Sequence, residues 1–186
     1  MKSTDRNTPR IKTKEPVHIR RNVDAFEDPC KIDEHLPDYS VCRECGGTYV
    51  SGRWHSPNHL TRKPKSSSAE QSLTTCPTCR KLRGHVPGGV IRLTGEFVLT
   101  HREEILNLIR NQTRKGDAAN SAGRVMTMEA QPDGMELTTT NEKLAQRIGR
   151  ALYKAYSGEV EYKWSPDDGL ARVNWHRETQ KGGHDK

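Results

Sequence analysis

The chain has 186 residues, 31% of them hydrophobic, 5% aromatic and 30% charged, with a mean hydropathy of −0.94 and a formal charge of +7. No stretch approaches the ~18 consecutive apolar residues that a membrane span needs, and so low an apolar content implies a modest core with polar appendages. The basic amino terminus lacks the apolar segment of a secretory signal, which points to a cytoplasmic protein.

The charge is unevenly spread. Residues 1–21 carry seven Lys/Arg against two acids, and residues 1–27 read as a disordered basic arm. Residues 22–40 reverse the sign with six acids and one Lys. Residues 41–89 carry eight Lys/Arg and two Glu, and the rest is nearly balanced at 15 against 14. A local basic excess favours a polyanionic partner, most often nucleic acid, although a solvated face that only aids solubility gives the same count.

The segment 28–89 holds two C-x-x-C pairs, Cys42/Cys45 and Cys76/Cys79, separated by 30 residues. Two residues between cysteines let a tight turn aim both sulfurs at one ion, and two such pairs in a cytosolic chain predict a zinc-ribbon module. Gly46 supplies the backbone freedom such a turn needs and Pro77 stiffens the second pair. Four thiolates leave no ligand position for water, so the expected cofactor is one structural Zn2+. Disulfides or a redox pair are the alternative, against which a cytosolic setting and the lack of an adjacent βαβ pattern weigh. Between the pairs, residues 48–54 predict a short hairpin strand, and the Ser/Lys/Pro-rich stretch at about 61–72 predicts a mobile loop. Cys30 reads as an exposed thiol outside the metal site, and His55 and His59 as solvated loop residues.

Residues 90–177 predict a second domain. Val90 to Val98, with a break at Gly95, reads as a strand that joins this domain or bridges it to the zinc module. Two similar units follow, each an amphipathic helix and a hairpin. Ile105, Leu108 and Ile109 mark the first helix, and Leu144, Ile148, Leu152 and Ala155 the second, with Asn141 as its N-cap. The turns at Pro132-Asp133-Gly134 and Pro166-Asp167-Asp168-Gly169 lie between alternating runs, a strong hairpin signal. The expected fold is therefore α+β: a zinc ribbon, then αββαββ with a four-stranded antiparallel sheet and two helices on one face. Residues 178–186 read as a disordered tail.

Catalytic signatures are missing: there is no Walker loop, G-x-S-x-G or H-E-x-x-H. The sequence predicts a protein that is not an enzyme and takes no small-molecule substrate. Its candidate nucleic-acid contacts are Arg43, Arg53, Arg80, Lys81 and Arg83 around the cysteines, with Trp54 either stacking on a base or capping the zinc site. A second candidate set is Lys143, Arg147, Arg150 and Lys154, whose i, i+4, i+7, i+11 spacing places four cations along one helix face. An ordinary solvated helix face has the same pattern.

Blocks of residues also carry a resemblance. They are Asp28-Pro29, Leu36-Pro37, Val41-Cys42-x-x-Cys45-Gly46, Gly52-Arg53-Trp54 and Cys76-Pro77-x-Cys79, then Leu93-x-Gly95-x-Phe97-Val98, His101-Arg102-x-Glu104-Ile105 and Tyr156-x-Gly158-Glu159-x-x-Tyr162. In that order they resemble a family of bacterial zinc-ribbon proteins related to the large-ribosomal-subunit export adaptor of eukaryotes and archaea (the nonsense-mediated-decay-associated proteins). The resemblance covers roughly residues 28–177. It implies cysteine-bound zinc and contact with large-subunit rRNA or a ribosomal protein, whereas the adaptor's nuclear-export role has no bacterial counterpart. Two functions follow: a non-enzymatic RNA- or ribosome-binding protein, such as an assembly or stress-related factor, or a protein–protein adaptor whose zinc only braces the fold.

Overall fold

A computed structural model describes residues 11–13, 28–32, 36–57, 72–119, 123–165 and 169–179. Most of the expected arm, loop and tail, together with His59 and the turn at 166–168, lie outside the described residues. The elements run β1 (Ile11–Thr13), β2 (Val41–Cys42), β3 (Thr48–Val50), β4 (Arg53–His55), β5 (Leu73–Thr74), α1 (Pro77–Gly84) and β6 (Gly89–Thr94). They continue with α2 (Glu96–Thr100), α3 (Arg102–Ala119), β7 (Val125–Gln131), β8 (Gly134–Thr139), α4 (Glu142–Tyr156), β9 (Glu159–Ser165) and β10 (Leu170–His176). The architecture is mixed α+β, with a four-stranded sheet ordered β4-β3-β2-β5 and a six-stranded sheet ordered β1-β9-β10-β6-β8-β7.

The larger sheet corrects the sequence expectation. The two hairpins do not form one four-stranded antiparallel sheet, because β6 enters between them, antiparallel to β8 and parallel to β10. The period-two pattern of Ile91 and Leu93 marks a strand but carries no information about its partners. After β6 the chain also departs from expectation, since residues 96–100 turn helical. Gly95 makes that break at φ 104°, and a Cβ there would lie 2.2 Å from the Arg177 carbonyl oxygen, so only glycine fits.

Register explains why one face of this sheet is core and the other is not. Leu137, Ile91, Val173 and Tyr162 lie side by side across four strands, and Met135, Leu93, Trp175 and Val160 form the next row. All eight are buried. Against them pack Ile105 and Ile109 of α3 and Leu144, Ala145, Ile148 and Leu152 of α4 in one cluster, most of the apolar stripe that the helical spacing predicts, whereas Ala155 is exposed at the end of α4. The alternate residues, Glu136, Arg92, Asn174 and Glu161 in one row, are polar. Asn141 caps α4 as expected, its side chain accepting the Leu144 N–H at 2.9 Å. No helix among the described residues is long and apolar enough to cross a membrane.

Tyr162 gives this core a testable flaw. Its side chain is buried and its hydroxyl has no hydrogen-bond partner among the described residues. Burial pushes the phenol up to about 12, and the Arg150 charge opposes that rise. An unsatisfied buried hydroxyl opposes folding, so Tyr162→Phe is expected to leave stability unchanged or raise it by up to ~1 kcal/mol. Urea melts decide the point, and a loss larger than that would mean the hydroxyl has a partner.

Candidate metal centre

Four cysteine sulfurs come together from two chain segments. Sγ of Cys42, Cys45, Cys76 and Cys79 all lie within 4.8 Å of one another, and Cys45 and Cys76 are 3.7 Å apart. Four sulfurs at about 2.3 Å from one tetrahedral ion would lie roughly 3.8 Å apart, so the cluster fits a single ion of that kind. All four are free thiols, three of them buried and Cys45 half-buried.

Each pair owes its aim to local chain geometry. Cys42 ends β2, the chain reverses through Cys45, and hydrogen bonds from Gly46 N–H to the Cys42 carbonyl (2.9 Å) and from Cys42 N–H to the Gly47 carbonyl (2.8 Å) close the turn. Gly46 holds φ 68° there, the left-handed backbone expected of it. The second pair opens a helix: Cys76 is the N-cap of α1, Pro77 follows it, and the Cys79 N–H points at Cys76 Sγ at 3.5 Å. The Cys76 N–H reaches across to Cys42 Sγ at 3.3 Å. Helix-start amides and a crossing N–H aimed at sulfur favour thiolate over thiol.

Cys42, Cys76 and Cys79 do not shift in the same direction. Burial pushes Cys76 up to about 12, aided by the nearby Cys45 and Cys42 charges. Cys79 is raised as well, by burial first and then by Cys76 and Cys45. Cys42 goes down: burial is its largest single influence and opposes ionisation, but hydrogen bonds from the backbone N–H groups and the thiols of Cys76 and Cys45 together outweigh it. Four such groups cannot all ionise side by side without a cation, which is the condition a thiolate-bound metal satisfies.

The expected nucleic-acid residues have varied surroundings. Trp54 is half-buried and packs with Cys45 against the buried sulfurs, its ring 5.5 Å from that of Tyr49. The Arg43 guanidinium donates to the Leu73 carbonyl and that of Arg80 to the Thr75 carbonyl, each at 3.1 Å. Both therefore brace the strand that leads into Cys76. Lys81 is paired with Asp28 at 2.5 Å, Arg83 with Glu44, and Arg53 is exposed. On α4, Lys143 and Lys154 are exposed while Arg147 and Arg150 are half-buried between them.

Sequence reading misplaced Cys30 and missed two acids. Cys30 is buried rather than exposed, its N–H held by Asp28 at 3.0 Å. Burial raises its thiol, and it is not one of the cluster. Asp28 and Glu44 each pair with a cation of α1 from 39 or more residues away, and no local spacing signals such a pairing. His55 is half-buried in β4 and also outside the cluster.

Elsewhere, Thr94 Oγ1 lies 3.0 Å from His176 Nδ1, and His176 Nε2 is 3.3 Å from Glu178. The neighbouring amides of Gly95, Glu96 and Phe97 are bonded to Asp133, Glu178 and Arg177. These three amides are therefore already engaged within the fold. Comparisons with family models, curated proteins and solved structures give no match to this chain.

Proposed function

We propose that the protein is a non-enzymatic zinc protein of the cytoplasm that binds RNA, with the large ribosomal subunit as its target. The carrying observation is the cationic setting of the four-cysteine cluster: Arg43, Arg80, Lys81 and Arg83 lie on the segments that supply the sulfurs, and Arg53 lies on β4 of the same small sheet. Four thiolates and one Zn2+ add a net charge of −2, so the formal excess of six positive charges over residues 41–89 falls but keeps its sign. The zinc is structural, because four protein sulfurs fill its tetrahedral shell. The resemblance to the ribosomal export-adaptor family supports the choice of target.

A second reading has an observation of its own. Four of those five cations are engaged within the fold, Arg43 and Arg80 with carbonyls and Lys81 and Arg83 with carboxylates. That favours an adaptor for another protein, with the cations serving the module itself. Salt separates the two readings. Under the RNA reading the protein comigrates with large-subunit particles on a sucrose gradient at about 50 mM salt, and affinity falls at least tenfold by about 200 mM. Replacing Arg80, Lys81 and Arg83 by Ser weakens that binding. Free protein at low salt, or binding indifferent to salt and to the triple substitution, supports the adaptor.

A further inference from the structure

Beside the metal centre the small sheet leaves an open cleft of about 440 Å3, lined by Leu36, Pro37, Asp38, Tyr49, Ser51 and Gly52. We infer that this cleft binds a guanine base of single-stranded RNA, with Tyr49 as its stacking surface and the Asp38 carboxylate as its reader. The inference deepens the RNA reading above and rests on it.

The cleft is built to hold its shape. Its two walls are joined by hydrogen bonds from Tyr39 N–H to the Tyr49 carbonyl (2.7 Å) and from Tyr49 N–H to the Ser40 carbonyl (2.9 Å). Tyr49 leans on Trp54, which packs on the sulfur cluster, so the metal centre sets where the phenol ring stands. Asp38 Oδ1 accepts the Ser51 N–H at 2.8 Å, and Ser51 is the only described residue that donates to this carboxylate. Its second oxygen accepts from no described residue, and Asp38 is exposed.

Chemistry then selects the occupant. Leu36, Pro37 and the Tyr49 ring suit a flat apolar surface, and base–aromatic stacking supplies affinity for any base. An anionic reader repels phosphate and demands N–H donors. Guanine presents two adjacent donors, N1–H and the N2 amino group, on its Watson–Crick edge. Adenine and cytosine place an acceptor beside their amino group, and uracil flanks its single N–H with acceptors. The exposed Arg53 directly follows Gly52 in the chain and supplies a cation for the neighbouring phosphate.

The test uses the zinc-loaded full chain and fluorescein-labelled RNA heptamers of uridine whose central base is G, A, C or U, with binding read by anisotropy. The G heptamer is expected to bind about tenfold tighter than the other three, the scale of a hydrogen bond to a charged group. Asp38→Asn keeps an oxygen for the Ser51 N–H but loses the anion. It should bring the G preference to within about twofold while leaving the zinc content unchanged. Equal binding of all four heptamers, or a preference that survives Asp38→Asn, overturns the guanine cleft and leaves RNA binding standing. Binding of none overturns both. Competition by free GMP as effective as by the G heptamer would assign the cleft to a free nucleotide and overturn its role in RNA.

Discussion

Removing zinc is expected to unfold the module around the cysteines and to leave the larger sheet intact. The module's described strands are two or three residues long, and among the described residues its only buried cluster is Cys42, Cys76 and Cys79, with Cys45 and Trp54 packed against it. So small a core cannot offset the conformational entropy of its chain, and the proposed zinc would supply the difference. Structural zinc sites of this kind contribute roughly 10–16 kcal/mol at neutral pH, as much as the ~5–15 kcal/mol stability of a whole small domain. Chelation should therefore expose the amides of β2 to α1 to hydrogen exchange. Protection in β6, β8 and β10, which belong to a separate core, should persist. Purified protein should carry about one equivalent of zinc, as one tetrahedral site requires. Cys79→Ser should lose it and unfold the module, whereas Cys30→Ser should keep it. Retention of metal by Cys79→Ser, or its loss from Cys30→Ser, would contradict the ligand set.

The cysteine cluster was legible because a metal site is a local code twice over. Cys42-x-x-Cys45-Gly46 and Cys76-Pro77-x-Cys79 each fix their own turn, and the ion's chemistry predicts that the two turns meet. The hairpins were legible for the same reason: the Pro132-Asp133-Gly134 turn and the alternation of Val160, Tyr162 and Trp164 act over a few residues. What the sequence did not disclose is long-range. Nothing in Gly89–Thr94 tells that it will lie beside both β8 and β10. Residues 48–54 read as one short hairpin strand but form two, β3 and β4, because Ser51 and Gly52 take positive φ (50° and 79°), the geometry of a tight hairpin turn. An Asp38 anchor for the Ser51 N–H, 13 residues away, steadies that turn and has no sequence signal. Burial of Cys30 likewise depends on a partner element, the Asp28–Lys81 pair that ties its turn to α1.

Trp175→Ala is expected to be the most damaging single substitution in the larger core, at about 3–5 kcal/mol. The indole is fully buried between Leu93 and Val160 in register and meets the edge of Phe97 at 6.1 Å. It also donates from Nε1 to the Ser157 carbonyl at 2.9 Å, at the turn where α4 gives way to β9. Alanine would leave a cavity among side chains anchored on three strands, and it would strand a carbonyl that the fold partly buries. For a domain of this size each kcal/mol moves the melting temperature by about 4–8 °C, so a fall of roughly 12–40 °C is expected. Trp175→Phe separates the two contributions: it restores most of the volume but not the donor, and should recover all but ~1 kcal/mol or so. Zinc content supplies the decisive contrast. Because the sulfur cluster and this core share no buried residue, Trp175→Ala should still bind one equivalent of metal at temperatures where its sheet has melted. Simultaneous loss of zinc and sheet would show that the two cores fold as one unit.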